Sequence, residues 1–139
     1  DGSGTRYIEL DRFEITSDVT LYARWVPAIW RVAGSAGSSG YSGDGGPATS
    51  ALLYNPCGVA VDAEGNLYVA DYENYRIRKV STAGAITTVV GSGSPGFVGD
   101  NGPATSAALG HVIGLAVDST GHLYIADQWF NTVREATLP

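Results

Sequence analysis

The chain has 139 residues, a formal net charge of −6, 19 glycines, one cysteine and no methionine. An apolar fraction of 44% excludes a disordered chain. A single cysteine excludes an internal disulfide and a metal site built from several thiolates. No apolar run reaches the roughly 18 residues of a membrane-spanning helix. Because methionine is missing, we expect a processed product or a piece of something longer.

An internal repeat dominates the sequence. Residues 40–78 align with residues 96–134 at an offset of 56, and 20 of the 39 aligned positions are identical. Self-similarity at a fixed period is typical of repeat architectures, in which each copy is one structural unit. We therefore predict two copies of one unit.

Each copy consists of short apolar or alternating runs separated by turn residues, a pattern that predicts strands. Four antiparallel strands with glycine-rich connections are typical of a β-propeller blade, so we predict an all-β fold. The predicted strands cover residues 58–62, 67–71, 76–80 and 85–90 in the first copy, and lie near residues 115–118, 123–127 and 132–136 in the second.

The first copy carries a family resemblance. Residues 58–62, residues 65–71, Asn74 and residues 76–80 resemble an NHL repeat. The Gly-Asp-Gly-Gly-Pro-Ala-Thr-Ser-Ala segment at residues 43–51 resembles the version found in bacterial extracellular NHL proteins and in teneurin-like proteins. The resemblance implies β-propeller blades of the NHL type.

The N-terminal segment does not belong to the repeat. Residues 13–25 resemble the closing strand of a Listeria–Bacteroides (internalin-type B) repeat, a small β-grasp-like module of bacterial surface proteins. This resemblance implies that residues 1–28 form part of such a module and a linker. The propeller segment, with its period of 56, then covers residues 29–139.

The strand count raises the question of how the blades are completed. Residues 29–33 match residues 86–90, the fourth strand of the first copy. We therefore expect two four-stranded blades, one of which takes its outer strand from the N-terminal segment. A closed propeller needs about four to eight blades. The chain is thus expected either to assemble, for example as three copies in a six-bladed ring, or to belong to a longer multi-blade protein.

Six aspartates stand at strand ends or in repeated loops. A carboxylate after a strand accepts backbone N–H groups in a turn. Residues 45–53 are predicted to form a helical turn, and a carboxylate in the loop before them is expected to cap that turn. A cation site near the propeller axis is the alternative, but no calcium-loop spacing accompanies these residues. The predicted structural turn carboxylates are Asp44, Asp62, Asp71, Asp100, Asp118 and Asp127.

The turn between the second and third strands differs between the copies and is the candidate for recognition. Exposed aromatic side chains there could anchor a protein or stack on sugar rings, and packing against a neighbouring blade is the alternative. In the second copy the turn pattern slips, with Phe130 opposite Asn74 and Asn131 one place later. The candidate binding residues are Gln128, Trp129, Phe130, Asn131, Tyr72, Glu73 and Asn74.

The sequence gives little support for catalysis, for a metal site or for nucleic-acid binding. His111 and His122 do not supply the converging ligands of a lyase-type zinc site. Cys57 aligns with Ile113 and is expected in the core. The basic cluster at residues 76–79 is expected to pair with surface acids, because a net charge of −6 disfavours nucleic-acid binding. We predict no catalytic residue, no metal and no cofactor.

These patterns predict a non-catalytic interaction or scaffold module of a bacterial surface or secreted protein, which binds a protein or glycan through the turns that connect its strands. The expected protein partners are further copies of the chain or the missing blades of a longer one, and neither nucleic acid nor membrane insertion is expected. Two alternatives stay open. One is an architectural subunit of an extracellular filament that exchanges strands. The other is a fragment of a lyase- or hydrolase-type propeller enzyme whose catalytic residues lie in other blades.

Overall fold

The computed structural model describes residues 29–138, so the predictions for residues 1–28 lie outside the described part of the chain. The first antiparallel sheet contains β1 (Pro56–Val61), β2 (Leu67–Asp71), β3 (Arg76–Val80) and β4 (Ile86–Val90). The second contains β5 (Val112–Val117), β6 (His122–Asp127) and β7 (Thr132–Thr137). We call these sheets, with their loops, the first and second blades. They confirm the predicted all-β, blade-like fold.

The 56-residue period extends to the backbone conformation. Tyr75, before β3, is left-handed with φ 52°, and its counterpart Asn131, before β7, has φ 54°. Gly45 (φ 82°) is matched in the same way by Asn101 (φ 63°). The asparagine that stands one place later in the second copy is therefore a change of sequence that leaves the backbone register intact. The backbone keeps its register because asparagine tolerates the left-handed conformation that the turn requires.

One 3-10 turn precedes each blade's first strand, at Ala48–Ser50 and at Ala104–Ser106, where the sequence predicts a helical turn. In both turns a proline occupies the N-cap position, and no side chain caps the turn. The prediction that Asp44 and Asp100 act as caps is therefore wrong. Each carboxylate instead pairs with an arginine of its own blade.

The two blades pack through their first strands, β1 against β5. The backbones approach so closely that a Cβ atom at Gly58 would lie 2.9 Å from the Ile113 carbonyl oxygen, which explains the glycine. A core shared by both blades then holds them together. It combines Tyr68, Ala70, Ile77 and Val90 with Leu109, Val112, Leu123, Ile125 and Ala136.

Cys57 is exposed, so the prediction that it is a core residue is wrong. Its counterpart Ile113 is also 48% exposed. The physical reason is that β1 and β5 are the edge strands of their sheets. Packing against each other covers only part of their surface.

The segment at residues 29–33 is not a strand of either sheet. Ile29 is 99% exposed and Trp30 82% exposed. The following residue, Gly34, donates a 2.9 Å backbone hydrogen bond into the first blade's 3-10 turn, as Gly91, after β4, does at 3.0 Å into the second blade's. Residues 29–33 therefore lie next to the first blade in the same way that β4 lies next to the second blade. They are not adjacent to β7. The prediction that they supply the outer strand of one blade is wrong for the single chain, because they do not pair with β7.

Candidate functional site

The aspartate that ends the second strand of each blade fixes the following turn. Asp71 is fully buried and accepts the Tyr54 backbone N–H at 2.7 Å. Asp127 accepts the backbone N–H of Gly110 at 2.6 Å and, through its other oxygen, that of Trp129 at 3.1 Å. The β2–β3 and β6–β7 turns are thereby tied to the segments that enter β1 and β5.

At the opposite end of the blades, Asp62 and Asp118 organise the β1–β2 and β5–β6 turns. Asp118 accepts the backbone N–H groups of His122 at 3.0 Å and Thr120 at 2.8 Å. Hydrogen bonds from the His122 backbone and the Thr120 hydroxyl hold the pKa of Asp118 well below its usual range. Desolvation raises the pKa of Asp62, but hydrogen bonds from Asn66 outweigh it, so the pKa is lowered.

The first blade buries an ion-pair network. Arg78 is fully buried, with nitrogen–oxygen distances of 3.2 Å to Asp71 and 2.6 Å to Asp44. Burial raises the pKa of Asp44, but hydrogen bonds from Thr88 and Arg78 outweigh it, so the pKa is lowered. The prediction of a surface ion pair is wrong for Arg78, because the loop that carries Asp44 and Tyr41 covers its side chain. The Arg78 guanidinium carbon lies 4.8 Å from the Tyr41 ring centroid.

The second blade contains the equivalent ion pair, but its side chains are more exposed to solvent. Arg134 lies 2.6 Å from Asp100, and Phe97 replaces Tyr41 beside the guanidinium. The side-chain exposures are 10% for Arg134 and 57% for Asp100, against 0% and 37% for their counterparts. Residues 29–138 provide no fourth strand here, and so no counterpart of Thr88.

Six aromatic rings form a continuous row at the end of the blades where the Asp71 and Asp127 turns lie. The His111 ring centroid is 4.1 Å from that of Tyr72 and 4.6 Å from that of Trp129. From Trp129 the row continues to Phe130 at 5.9 Å and then to Phe97 at 5.6 Å. We call this set the aromatic row: Tyr72, Tyr75, His111, Trp129, Phe130 and Phe97.

The aromatic row crosses the boundary between the blades, because Tyr72 and Tyr75 belong to the first and the other members to the second. Trp129 is 51% exposed and Phe97 43%, and the other members are half-buried. The Tyr72 and His111 rings are stacked, with only 17° between their planes. Stacking therefore covers one face of each of these two rings.

Three of the seven residues predicted to bind belong to the aromatic row. Gln128 and Asn131 are exposed on either side of its Trp129–Phe130 pair. Asn74 is not available in the same way, because its side-chain amide donates to the Gly40 carbonyl oxygen at 2.7 Å and anchors the turn. The three in the row are Tyr72, Trp129 and Phe130.

Sequence reasoning missed the other three members of the row. A signal existed for Phe97, because it aligns with Tyr41 and both rings lie against an arginine. His111 and Tyr75 lie at unlike positions in the two copies, and only the packing of the blades brings them together. Glu73, the remaining predicted binding residue, is half-buried.

Within residues 29–138, no three His, Cys, Asp or Glu side chains are grouped in a way that could hold a metal ion. None of the helices in that range has the length and apolar character to cross a membrane.

Comparisons with known proteins agree with this architecture. Residues 33–97 match the model of the Teneurin NHL domain. Protein SUPPRESSOR OF QUENCHING 1, chloroplastic, from Arabidopsis thaliana is 31% identical over 94 residues, which cover 67% of this chain and 9% of that protein. A solved structure of a protein of unknown function from Bacteroides thetaiotaomicron has 25% identity and a TM-score of 0.69, covering 77% of this chain and 26% of that one.

An auxiliary nutrient binding protein from Bacteroides thetaiotaomicron shares the fold at 21% identity, with a TM-score of 0.58 over 75% of this chain and 27% of that one. The chain thus spans about a quarter of these solved structures and under a tenth of the Arabidopsis relative. Together with the two blade-like sheets, these likenesses support an NHL-type fold for this chain.

Proposed function

We propose that the chain is a non-catalytic binding module that docks a partner protein through the aromatic row. The observation that carries this proposal is the continuity of the row across both blades, with half-exposed Trp129 within it. Tryptophan and tyrosine dominate the binding energy of protein interfaces. Their rings combine a large apolar surface with a polar tip, so they tolerate both water and a partner.

The geometry of the row favours a protein over a glycan. A sugar ring stacks on an open aromatic face, whereas Tyr72 and His111 stack on each other with centroids 4.1 Å apart. Gln128 and Asn131 are exposed beside the row and supply the polar rim that surrounds the apolar centre of a protein interface.

We further propose that this module belongs to a secreted or cell-surface protein of a bacterium. The likeness to the Teneurin NHL domain and the shared fold of an auxiliary nutrient binding protein support a binding role of this kind. The name of the Arabidopsis relative assigns that protein to a chloroplast, so fractionation of the source cells must test the compartment directly.

The test compares proteins captured from a surface extract of the source cells by immobilised wild-type chain and by two variants. Trp129→Ala removes the most exposed ring of the row. Tyr124→Ala removes an exposed aromatic from the blade end that carries Asp118, and serves as the matched control. We expect a protein that wild type and Tyr124→Ala retain equally and that Trp129→Ala binds roughly tenfold more weakly or worse.

A glycan array run with the same three proteins provides the other outcome. Glycan binding that depends on Trp129, with no captured protein that does, would contradict the choice of partner. Capture that is indifferent to Trp129 would contradict the assignment of the row.

A further inference from the structure

The loop that carries Asp100 contains a residue pair that the matching loop of the first blade lacks. Asn101 is followed by Gly102, whereas the corresponding residues are Gly45 and Gly46. Asn101 is exposed and has a left-handed backbone, with φ 63°. Asparagine adopts this conformation more readily than most residues that carry a side chain, so the loop keeps its shape. The asparagine also places a carboxamide beside the backbone nitrogen of a glycine.

The exposure of this position does not depend on which neighbouring element is present. The first blade lies against the Asn101 loop, because Gly91, after β4, donates a backbone hydrogen bond to Ala104 at 3.0 Å. A fourth strand lies against the matching loop, because the Gly45 N–H donates to the Ile86 carbonyl oxygen at 2.8 Å. A Cβ atom at Gly45 would still meet nothing within 4 Å beyond its chain neighbours. A side chain at this position therefore extends into open space beside either element.

We propose that Asn101 is a site of spontaneous deamidation, for which water is the only co-reactant. The Gly102 backbone nitrogen attacks Cγ of Asn101 and forms a new N–C bond. The bond between Cγ and the side-chain nitrogen breaks, and that nitrogen leaves as ammonia with the proton that the Gly102 nitrogen gives up. Water then opens the resulting succinimide ring at either of its carbonyl groups. The product has aspartate or isoaspartate at position 101.

The residue that follows distinguishes Asn101 from two similar asparagines. Asn55 and Asn131 are also exposed and left-handed, with φ 50° and 54°. A proline follows Asn55, and its nitrogen has no proton to give up. A threonine follows Asn131, and its branched side chain hinders the rotation that brings the nitrogen to the carboxamide. Glycine has no side chain to hinder that rotation.

The two other asparagines of the chain are held by their own hydrogen bonds. The Asn66 side-chain amide donates to Asp62 at 2.8 Å, and that of Asn74 donates to the Gly40 carbonyl oxygen at 2.7 Å. Leucine follows the first and tyrosine the second. Asn101 is therefore the asparagine of this chain at which we expect the reaction.

The reaction would alter the ion pair of the second blade. Asp100 precedes Asn101, and its carboxylate lies 2.6 Å from Arg134. Aspartate at position 101 adds a further negative charge beside this pair. Isoaspartate directs the main chain through its side chain and so lengthens the loop by a methylene group between Asp100 and Gly102. We expect the isoaspartate form to hold Asp100 less firmly against Arg134.

Peptide mass spectrometry of the folded 139-residue chain, incubated at mildly alkaline pH, gives the first test. We expect conversion at Asn101 at least about tenfold faster than at Asn131, which matches it in exposure and backbone conformation. The chain unfolded in urea is the positive control, because sequence alone sets the rate there. Equal rates at the two asparagines of the folded chain would overturn the proposal. So would an Asn101 that stays intact in the folded chain while it converts in the unfolded one.

Asn101→Gly is the matched variant, because it copies the residue of the first blade. It should fold as the wild type does, since Gly45 has φ 82° at the corresponding place. Ion-exchange chromatography should resolve a more acidic form of the incubated wild type and none of the variant. An acidic form that accumulates equally in Asn101→Gly would show that the reaction occurs elsewhere and would overturn the assignment.

Discussion

In the first blade, Arg78 is fully buried and forms ion pairs with Asp44 and Asp71. Ile86 is also fully buried, beneath the loop that carries Asp44. In the second blade, Arg134 pairs with a carboxylate that is 57% exposed, and a groove lies open where the isoleucine would be. The two blades share eight of nine residues in the loop at residues 43–51 and 99–107, and four of five between β2 and residues 123–127. This difference shows that burial of the ion pair and of the core beneath it depends on the fourth strand rather than on the loop sequence.

The difference also explains why the same residue types behave differently in the two copies. The Tyr41 hydroxyl donates to Asp44 at 2.9 Å and lies 3.1 Å from the Thr88 hydroxyl on β4, whereas Phe97, the counterpart of Tyr41, has no hydroxyl to offer Asp100. Each copy therefore serves as a reference for the other, and paired substitutions can test the comparison.

The largest effect is expected at the arginine pair. Arg78→Met should lower the free energy of unfolding by about 3–5 kcal/mol, because it leaves the buried carboxylate of Asp71 without its partner. Arg134→Met should cost about 1–2 kcal/mol, mainly through its lost hydrogen bonds to the Ala108 and Val98 carbonyl oxygens. Urea denaturation measures both. Equal losses would contradict the difference in burial.

The isoleucine pair should give the next largest difference. Ile86→Ala should cost about 3 kcal/mol, since the side chain is fully buried and its removal leaves a cavity. Ile29→Ala should change the stability of the single chain by less than about 0.5 kcal/mol, because Ile29 is 99% exposed. Measurement in dilute solution keeps association out of the comparison. A large loss from Ile29→Ala there would mean that Ile29 is buried within its own copy.

Two matched glycines should differ by a smaller amount. Gly91 and Gly34 both have positive φ, 99° and 85°, so alanine at either costs about 1 kcal/mol in backbone strain. A Cβ atom at Gly91 would also collide with the Tyr75 carbonyl oxygen, whereas at Gly34 it would only touch Leu53, at 3.5 Å. Thermal unfolding should therefore rank Gly91→Ala clearly below Gly34→Ala. The reverse order would contradict the close approach of the end of β4 to the Tyr75 backbone.

The smallest effects concern acid stability. The pKa values of Asp62 and Asp118 are lowered in the folded chain, so both carboxylates stabilise it above their ordinary pKa of about 4. That contribution should disappear as the pH falls from about 4 through the lower folded values. Asp118→Asn should make stability less dependent on pH in this range, and Asp62→Asn should do so to a smaller extent. Unchanged acid sensitivity in both variants would contradict the turn hydrogen bonds as its source.

Much of the fold could be predicted from the sequence because the repeat places strand-forming runs between turn residues at a fixed spacing. The predicted 76–80 strand coincides with β3. The burial of Arg78 could not be predicted from its alternating strand, since it depends on a loop more than 30 residues away in sequence. Its identity with Arg134 was the available signal.

The candidate site was predictable only in part, for a related reason. Trp129 and Phe130 can be recognised in the sequence as aromatic residues in a turn. His111 belongs to the row only because its ring stacks on Tyr72 of the other blade. Contacts between blades depend on how the sheets pack, and no local pattern encodes that. The position of residues 29–33 was missed for the same reason, although their match to β4 was visible.

The central difference is that β4 covers the β3 edge of the first blade, whereas residues 29–138 place no strand on the β7 edge of the second. Hydrogen–deuterium exchange of β3 and β7, followed as a function of protein concentration, tests it directly. In dilute solution we expect slow exchange in β3 and fast exchange in those β7 amides that face away from β6. Equal protection of both strands at the lowest concentration would contradict the claim.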